Sequence, residues 1–312
     1  MIQLVAYLAD HASAWNEFVA KAKNGHFLFD RRYMDYHADR FRDGSLVVVE
    51  DGAILALLPA NVTDGALITH EGLTFGGVIT QSATMSTSKM MAIIEGILQQ
   101  ARARDLSRLV YKALPHIYHL QPAEEDLYAL FRVGARIERT DVTTTIDQHA
   151  RGRISQRRLR GAKKAQKDGV VVGQSTDWPQ FWKVLTDRLE EKHATRPVHT
   201  VEEITMLARR WPENIRLWVA TRNAEMLAGI VIYATARVAH AQYISASAPG
   251  LELGALDLLF QSVIAYYETR LRYFDFGIST ERGGTYLNEG LIAQKEGFGG
   301  SAVVHVSYSV AL

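Results

Sequence analysis

Apolar positions along the chain fall into two kinds of run, short alternating ones and longer ones of helical period. The first kind predicts strands at residues 45–50 (SLVVVE), 53–60 (AILALLPA) and 65–70 (GALITH), with a turn at the intervening Glu50-Asp51-Gly52. The second kind predicts a long amphipathic helix over 87–104. A short strand at 108–114, a helix over about 124–132 and an alternating strand at 135–146 follow. The same order returns in the second half. Strands are predicted at 215–221, 226–234 and 238–247, then a helix at 254–270, a strand at 272–278, a helix after Leu287 and a strand at 301–310. The order β-β-β-α-β-α-β thus occurs twice. It predicts an α/β (mixed) chain of two repeats, each a central mixed sheet flanked by helices. The apolar alternation stops and basic residues begin at DQHARGR (147–153), so the expected domains are 1–150 and 151–312.

Between that joint and the second repeat lies an insertion. Its first part, RISQRRLRGAKKAQKDG (153–169), predicts a helix on which every charge from Arg151 to Lys167 is basic. Arg153, Arg157, Arg160, Lys164 and Lys167 recur at helical spacing and form one stripe. Like charges that close repel. Either the stripe is a solvated face, or phosphates bind it at Arg157, Arg160 and Lys164. Further on, Thr200 and Glu203 have capping-box spacing and predict a helix start at Thr200.

The helix after Leu287 is the odd one. At 100° per residue, Leu287, Asn288, Leu291 and Ile292 share one arc, and Lys295 falls inside it. Glu289, Ala293 and Glu296 lie opposite, where a solvated lysine belongs. The Lys295 stem then either snorkels out of the core or turns its ammonium to a polar pocket, with Asn288 as a neighbouring substrate contact.

Composition narrows the function classes. The apolar and charged fractions, 47% and 22%, are those of an ordinary globular protein. A net charge of +1 gives no global argument for nucleic acid or acidic membranes. The absence of cysteine excludes disulfides, thiol catalysis and cysteine-ligated metals. His116 and His119 are two ligand-type residues without an evident third, so no metal is expected. The longest apolar run, around 227–236, is well short of a membrane span of about 20 residues. The N-terminus has no basic region ahead of its apolar run, so no signal peptide is expected and the location expected is cytoplasmic.

Two copies of this strand and helix order resemble tandem GNAT (acetyltransferase-like) domains. Within the second copy, GLIAQKEGFGG (290–300) resembles the G-L-x-x-F-K-x-x-F-G stretch of FemAB-type aminoacyltransferases, with Gln294 in place of the phenylalanine. RRLRGAKKAQKDGV (157–170) resembles the basic helix that opens their second domain. The resemblance implies transfer of an acyl or aminoacyl group to an amine through a direct ternary complex, with Lys295 assisting. FemAB-type enzymes take aminoacyl-tRNA donors and build cell-wall peptide branches. The implied acceptor is an amine on a sugar- or peptide-containing envelope precursor, phosphate-bearing or lipid-linked. No tightly bound cofactor is implied, and acyl-CoA and aminoacyl-tRNA stand as the two donors. In GNAT domains that take CoA, a Q/R-x-x-G-x-G/A loop presents backbone amides to the pyrophosphate at a helix N-terminus. Here Gly254 and Ala255 stand in that loop, but Leu251 and Leu256 replace the first and last motif residues.

The chemistry of such a site suggests further residues. Asp275, on a strand predicted to be central, should share a face with Tyr273 and Gly277 and could act as general base. Tyr243, on the neighbouring strand, could be an acid or an orienter. His193, Arg196 and His199 in the insertion could contact the acceptor, His199 foremost. An ungapped shift places Phe131 of the first repeat where Lys295 stands in the second, so the first repeat lacks this lysine. Two rival readings remain: a CoA-dependent N-acyltransferase of a nucleotide-linked amino sugar, and a degenerate pair of domains that binds nucleic acid or protein without catalysis.

Overall fold

The structure is a computed structural model that describes residues 1–193 and 195–312, the side chains at 192 and 193 excepted, so the expectation for His193 lies outside the described residues. In chain order the main elements begin with β1 (Ile2–Ala6), α1 (Ala12–Lys21), β2 (Leu46–Glu50), β3 (Ala53–Leu58), β4 (Asn61–Thr63) and β5 (Ala66–Ile68). There follow α2 (Thr87–Ala103), β6 (Arg108–Lys112), α3 (Glu125–Arg132), β7 (Arg136–Asp147), α4 (Gln156–Lys167), β8 (Val171–Ser175), α5 (Trp178–His193) and α6 (Val201–Arg210). The second repeat comprises β9 (Ile215–Arg222), β10 (Glu225–Ala234), β11 (Val238–Ala246), α7 (Ala248–Leu253), α8 (Ala255–Glu268), β12 (Tyr273–Ile278), α9 (Glu289–Glu296) and β13 (Ser301–Ala311).

These elements form two compact units. The first contains Met1–Val142, Arg282–Tyr286 and Val304–Leu312; the second contains Thr143–Glu281 and Leu287–Val303. Most of the C-terminal strand therefore belongs to the first unit, and the end of β7 belongs to the second.

In the first unit, Pro59 ends β3 and divides the strands between two sheets. β1, β2 and β3 pair antiparallel, while β4, β5, β6 and β13 form the other set. Proline has no N–H to give a ladder, which is why the alternation read as one strand over 53–60 stops at Leu58. Helix α2 begins at Ser86, whose hydroxyl accepts from the Lys89 amide. Its Met90, Ile93, Ile94, Ile97, Leu98 and Ala101 recur at helical spacing and pack against Val48, Leu58, Leu67 and Leu109.

In the second unit the strands run unbroken in the order β8-β9-β10-β11-β12-β7. β9, β10 and β11 form an antiparallel meander, and β11 and β12 run parallel. The α8 side chains Leu259, Phe260, Val263 and Ile264 cover one face, with Phe274, Phe276 and Phe298 completing the core. Phe260, Phe276 and Phe298 lie with ring centroids 5.0 to 5.6 Å apart. Helix α5 covers the other face, where Phe181 fits over Gly229; a side chain there would begin 2.3 Å from the ring. The capping box read at Thr200 and Glu203 is formed and starts α6 at Val201. The sequence signals missed β1, α1 and β8, and the helical turn of α7 in what read as a loop.

Candidate functional site

The second unit holds a fork between two parallel strands. β11 and β12 pair at only three positions, Val238–Tyr273, Ala239–Phe274 and His240–Asp275. Beyond them both strands carry an irregularity. The β10–β11 register slips between Val231–Tyr243 and Ile232–Ala241, so Gln242 is the extra residue. The β12–β7 register slips between Asp275–Thr145 and Ile278–Thr143, and Gly277 there has φ +76°, a conformation glycine adopts without strain. Bulges bend a strand and increase its twist. Two bulges at the same level separate β11 from β12, and no backbone hydrogen bond joins 241–246 to 276–281 among the described residues. The fork therefore leaves strand edges on which an extended ligand can pair.

Asp275 sits at the base of the fork and is fully buried. As the alternation predicted, it lies opposite the face on which Phe274 and Phe276 enter the core. Its Oδ1 accepts from the hydroxyls of Thr143 and Thr145, the latter at 3.0 Å, and its Oδ2 pairs with Nδ1 of His240 at 2.6 Å. These donors offset the cost of burying a carboxylate. Fully buried beneath them, the carboxylate presents no oxygen at the surface, which argues against the general-base role expected of Asp275. The role it does fill is to hold the His240 ring.

Lys295 is 5% exposed. Its ammonium neither snorkels nor meets a carboxylate directly. It donates to the carbonyls of Gly277, at 2.8 Å, and Ile278, at 2.7 Å, which the bulge in β12 releases. Burial lowers its pKa from 10.5 to about 8, opposed by the charge of Asp275. An ammonium has three hydrogens. Two are committed, and the third has no protein acceptor among the described residues. Helix α9 is fixed by Asn288, whose side-chain oxygen accepts from the Leu291 amide and whose amide group donates to Glu281. Asn288, expected to touch substrate, thus acts as the helix cap that sets the Lys295 register.

Tyr243 and His199 meet each other. The phenol hydrogen-bonds with His199 Nδ1, its ring packs edge-on against Trp182 at 5.1 Å, and the Trp182 indole donates to the His199 carbonyl at 3.0 Å. Burial pushes the Tyr243 phenol well above its usual range, so it stays protonated. The pair ties α5 and the start of α6 to β11. Arg157, Arg160 and Lys164 lie exposed on α4, and the Lys164 ammonium donates to the Glu252 carbonyl at 2.6 Å. The buried basic residue of this helix is Arg158, paired with Asp257 at 2.6 Å. A Cβ on Gly161 would begin 1.9 Å from that Asp257 carboxylate, so glycine there permits the close approach of α4 and α8.

Gly254 and Ala255 sit where α4 and α8 touch. Helix α7 fills the expected loop; Gly254, at φ +74°, closes it by donating its amide to Leu251, and a side chain on Gly254 would begin 2.5 Å from the Gly161 carbonyl. Ala255 is fully buried. The backbone amide that a pyrophosphate would need at Gly254 is spent inside the protein.

Sequence reasoning passed over His240, Thr143 and Thr145. The available signal was polar residues in central strands: a histidine within VAHAQ and a threonine run within DVTTTID, both among apolar neighbours. Among the described residues no group of three or more His, Asp or Glu side chains is placed to hold a metal ion.

Residues 148–285, somewhat under half of the chain, match the family model "Acetyltransferase (GNAT) domain". No curated protein sequence matches the chain. Among solved structures, FemX shares the fold with a TM-score of 0.67 at 10% identity, over 99% of this chain and 97% of that one. The C-terminal domain (DUF2156) of a putative lysylphosphatidylglycerol synthetase from Agrobacterium fabrum matches with a TM-score of 0.62 at 14% identity, over 96% and 91%. A tandem GNAT protein from the clavulanic acid biosynthesis pathway matches with a TM-score of 0.52 at 14% identity, over 100% and 98%.

Proposed function

From the premise that this chain carries a GNAT acetyltransferase domain within a tandem, FemX-like fold, we propose that it moves an aminoacyl or acyl group to an amine on a sugar- or peptide-containing envelope precursor. The observation that carries the proposal is the fork of the second unit with the Lys295 ammonium at its bulge. Acyl transfer develops negative charge on the tetrahedral oxygen and on the leaving group. A preorganised ammonium with one free hydrogen, in a site where burial has already removed its water, stabilises that charge. One such donor supports a rate factor of about 100 to 1,000.

The donor we favour is an aminoacyl ester. The Gly254 amide is used within α7 and the position packs against Gly161, which argues against a CoA pyrophosphate cradle of the expected kind. The likeness in fold to a lysylphosphatidylglycerol synthetase domain agrees with an aminoacyl donor. The exposed stripe of Arg157, Arg160 and Lys164 supplies charge for tRNA or for a phosphate-bearing, lipid-linked acceptor. No helix among the described residues is long and apolar enough to cross a membrane.

The test is a label-transfer assay with two donors, bulk radiolabelled aminoacyl-tRNA and radiolabelled acetyl-CoA. The acceptors are a nucleotide-linked amino sugar and a lysine-containing cell-wall peptide. Label moving from tRNA to an amine is the expected result. Label moving only from acetyl-CoA favours the N-acyltransferase reading, and no transfer from either donor favours a non-catalytic binding module.

A further inference from the structure

We propose that His240 is the general base of the second unit, with Asp275 as the residue that positions it; this rests on the transferase reading above. Asp275 cannot itself take a proton from substrate, because it is fully buried and its two oxygens accept from Thr143, Thr145 and His240. The pairing at Nδ1 fixes the remaining chemistry of the ring. A neutral imidazole that donates from Nδ1 to a carboxylate presents Nε2 as an acceptor. His240 is 9% exposed, and its Nε2 has no protein partner among the described residues and is not buried. The ring is therefore oriented from one side and open on the other.

Its placement relates it to Lys295. His240 is the last residue of β11 paired to β12 before the strands part. Its Cε1 lies 3.5 Å from where a side chain on Gly277 would begin, and the carbonyl of that same Gly277 holds the Lys295 ammonium. A base and a cation thus meet at one glycine in the mouth of the fork. The groups facing His240 are Asp275 on β12, Tyr233 opposite it on β10 and Lys295 across Gly277.

The step balances as follows. The lone pair of the acceptor amine forms the C–N bond to the acyl carbon. The bond from that carbon to the leaving oxygen or sulfur breaks, and its electron pair goes to the leaving group. The proton lost by the amine nitrogen goes to Nε2 of His240 and from there to the leaving group, while Asp275 stabilises the imidazolium in between. The free hydrogen of Lys295 bonds to the oxygen on which charge develops.

Two measurements on the full chain test this. Long-range proton–nitrogen spectra of labelled protein report the His240 tautomer without substrate. The expected result is the Nδ1–H form in the wild type and its loss in Asp275→Asn; an Nε2–H wild type overturns the proposal. Label transfer from aminoacyl-tRNA, with melting temperature as the folding control, reports the base. We expect His240→Gln to lose about 100-fold or more in kcat at unchanged melting temperature, with the acid limb of its pH profile gone. Asp275→Asn should lose less and keep a displaced acid limb. A folded His240→Gln with wild-type kcat, beside a slowed Lys295→Met, overturns the base assignment and leaves the transferase reading standing. A wild-type protein inactive with every donor overturns that reading, and the base assignment with it.

Discussion

The two units repeat one strand order but end their parallel pairs differently. In the first, β5 and β6 pair at Ala66–Arg108, Leu67–Leu109 and Ile68–Val110, three positions as in the second unit. The chain then turns back at His70, φ +58°, and stitches the gap shut. The Thr69 amide donates to Val110, the Lys112 amide to the Thr69 hydroxyl, and the Gly76 amide to Lys112. Lys112 directs its ammonium to the carbonyls of His70, Glu71 and Leu73, so all three hydrogens are spent. Burial lowers its pKa to about 8, as it does that of Lys295. One lysine therefore closes a loop while the other keeps a hydrogen free beside an open fork. Desolvation alone does not tell the two lysines apart; the count of unspent donors does.

The comparison breaks most sharply at the glycines. A Cβ on Gly76 would begin 1.9 Å from the Thr69 carbonyl oxygen, whereas on Gly277 it meets nothing closer than 3.5 Å. Gly76→Ala should therefore destabilise by several kcal/mol, about 3 or more. Gly277→Ala should cost only about 1 kcal/mol of backbone strain while slowing turnover, because it shifts the carbonyl that holds Lys295. Equal losses of stability in urea titrations would contradict the contrast.

The pH dependence separates the lysines next. The Lys295 pKa is about 8 in the folded chain against 10.5 unfolded. Between those values the unfolded state binds the extra proton, so this residue's contribution to stability rises with pH by about 1 kcal/mol per unit. Below pH 8 the contribution is flat. Turnover needs the ammonium form and should fall above about pH 8, a limb that Lys112→Met leaves in place. Chemical denaturation and rates measured from pH 7 to 10 check both slopes.

Lys112→Met should destabilise by about 1–3 kcal/mol, since buried carbonyls of His70, Glu71 and Leu73 lose their donor, with turnover within about twofold of wild type. A larger loss of turnover would give the first unit a direct part in the chemistry. Smallest is the basic stripe. Reversing Arg157, Arg160 and Lys164 to glutamate should weaken tRNA binding about tenfold and flatten its salt dependence. Unchanged affinity at low and high salt would leave the stripe as solvated surface.

Much of the fold was legible because its signals are local. Alternation and helical period located β2, β3, β9 to β12, α2 and α8 to within a few residues, and the Thr200 capping box was read correctly. The arc read around Lys295 formed only in part: Leu287 lies before the helix on a short strand and is exposed, Leu291 and Ile292 are half-buried, and Lys295 is the buried residue of the helix. What the sequence hid is set by long-range pairing. Asp275 reads as a base until it is seen fully buried against Thr143, Thr145 and His240, and those residues lie 132, 130 and 35 positions away. The first repeat's lysine escaped notice because an ungapped shift pointed to Phe131, an exposed residue on α3, whereas the caged cation sits on β6. Gly254 matched a phosphate motif, yet a short helix and a contact with Gly161 decided its environment.

The central claim is that Lys295 acts on the reaction rather than on the fold, and Lys295→Met tests it most directly. Methionine keeps the apolar stem but leaves the carbonyls of Gly277 and Ile278 without their donor, so the fold should survive with a modest loss of about 1–2 kcal/mol. The single-turnover rate of transfer from aminoacyl-tRNA should fall about 100-fold, with donor affinity changed far less. A folded variant that transfers at the wild-type rate would contradict the account.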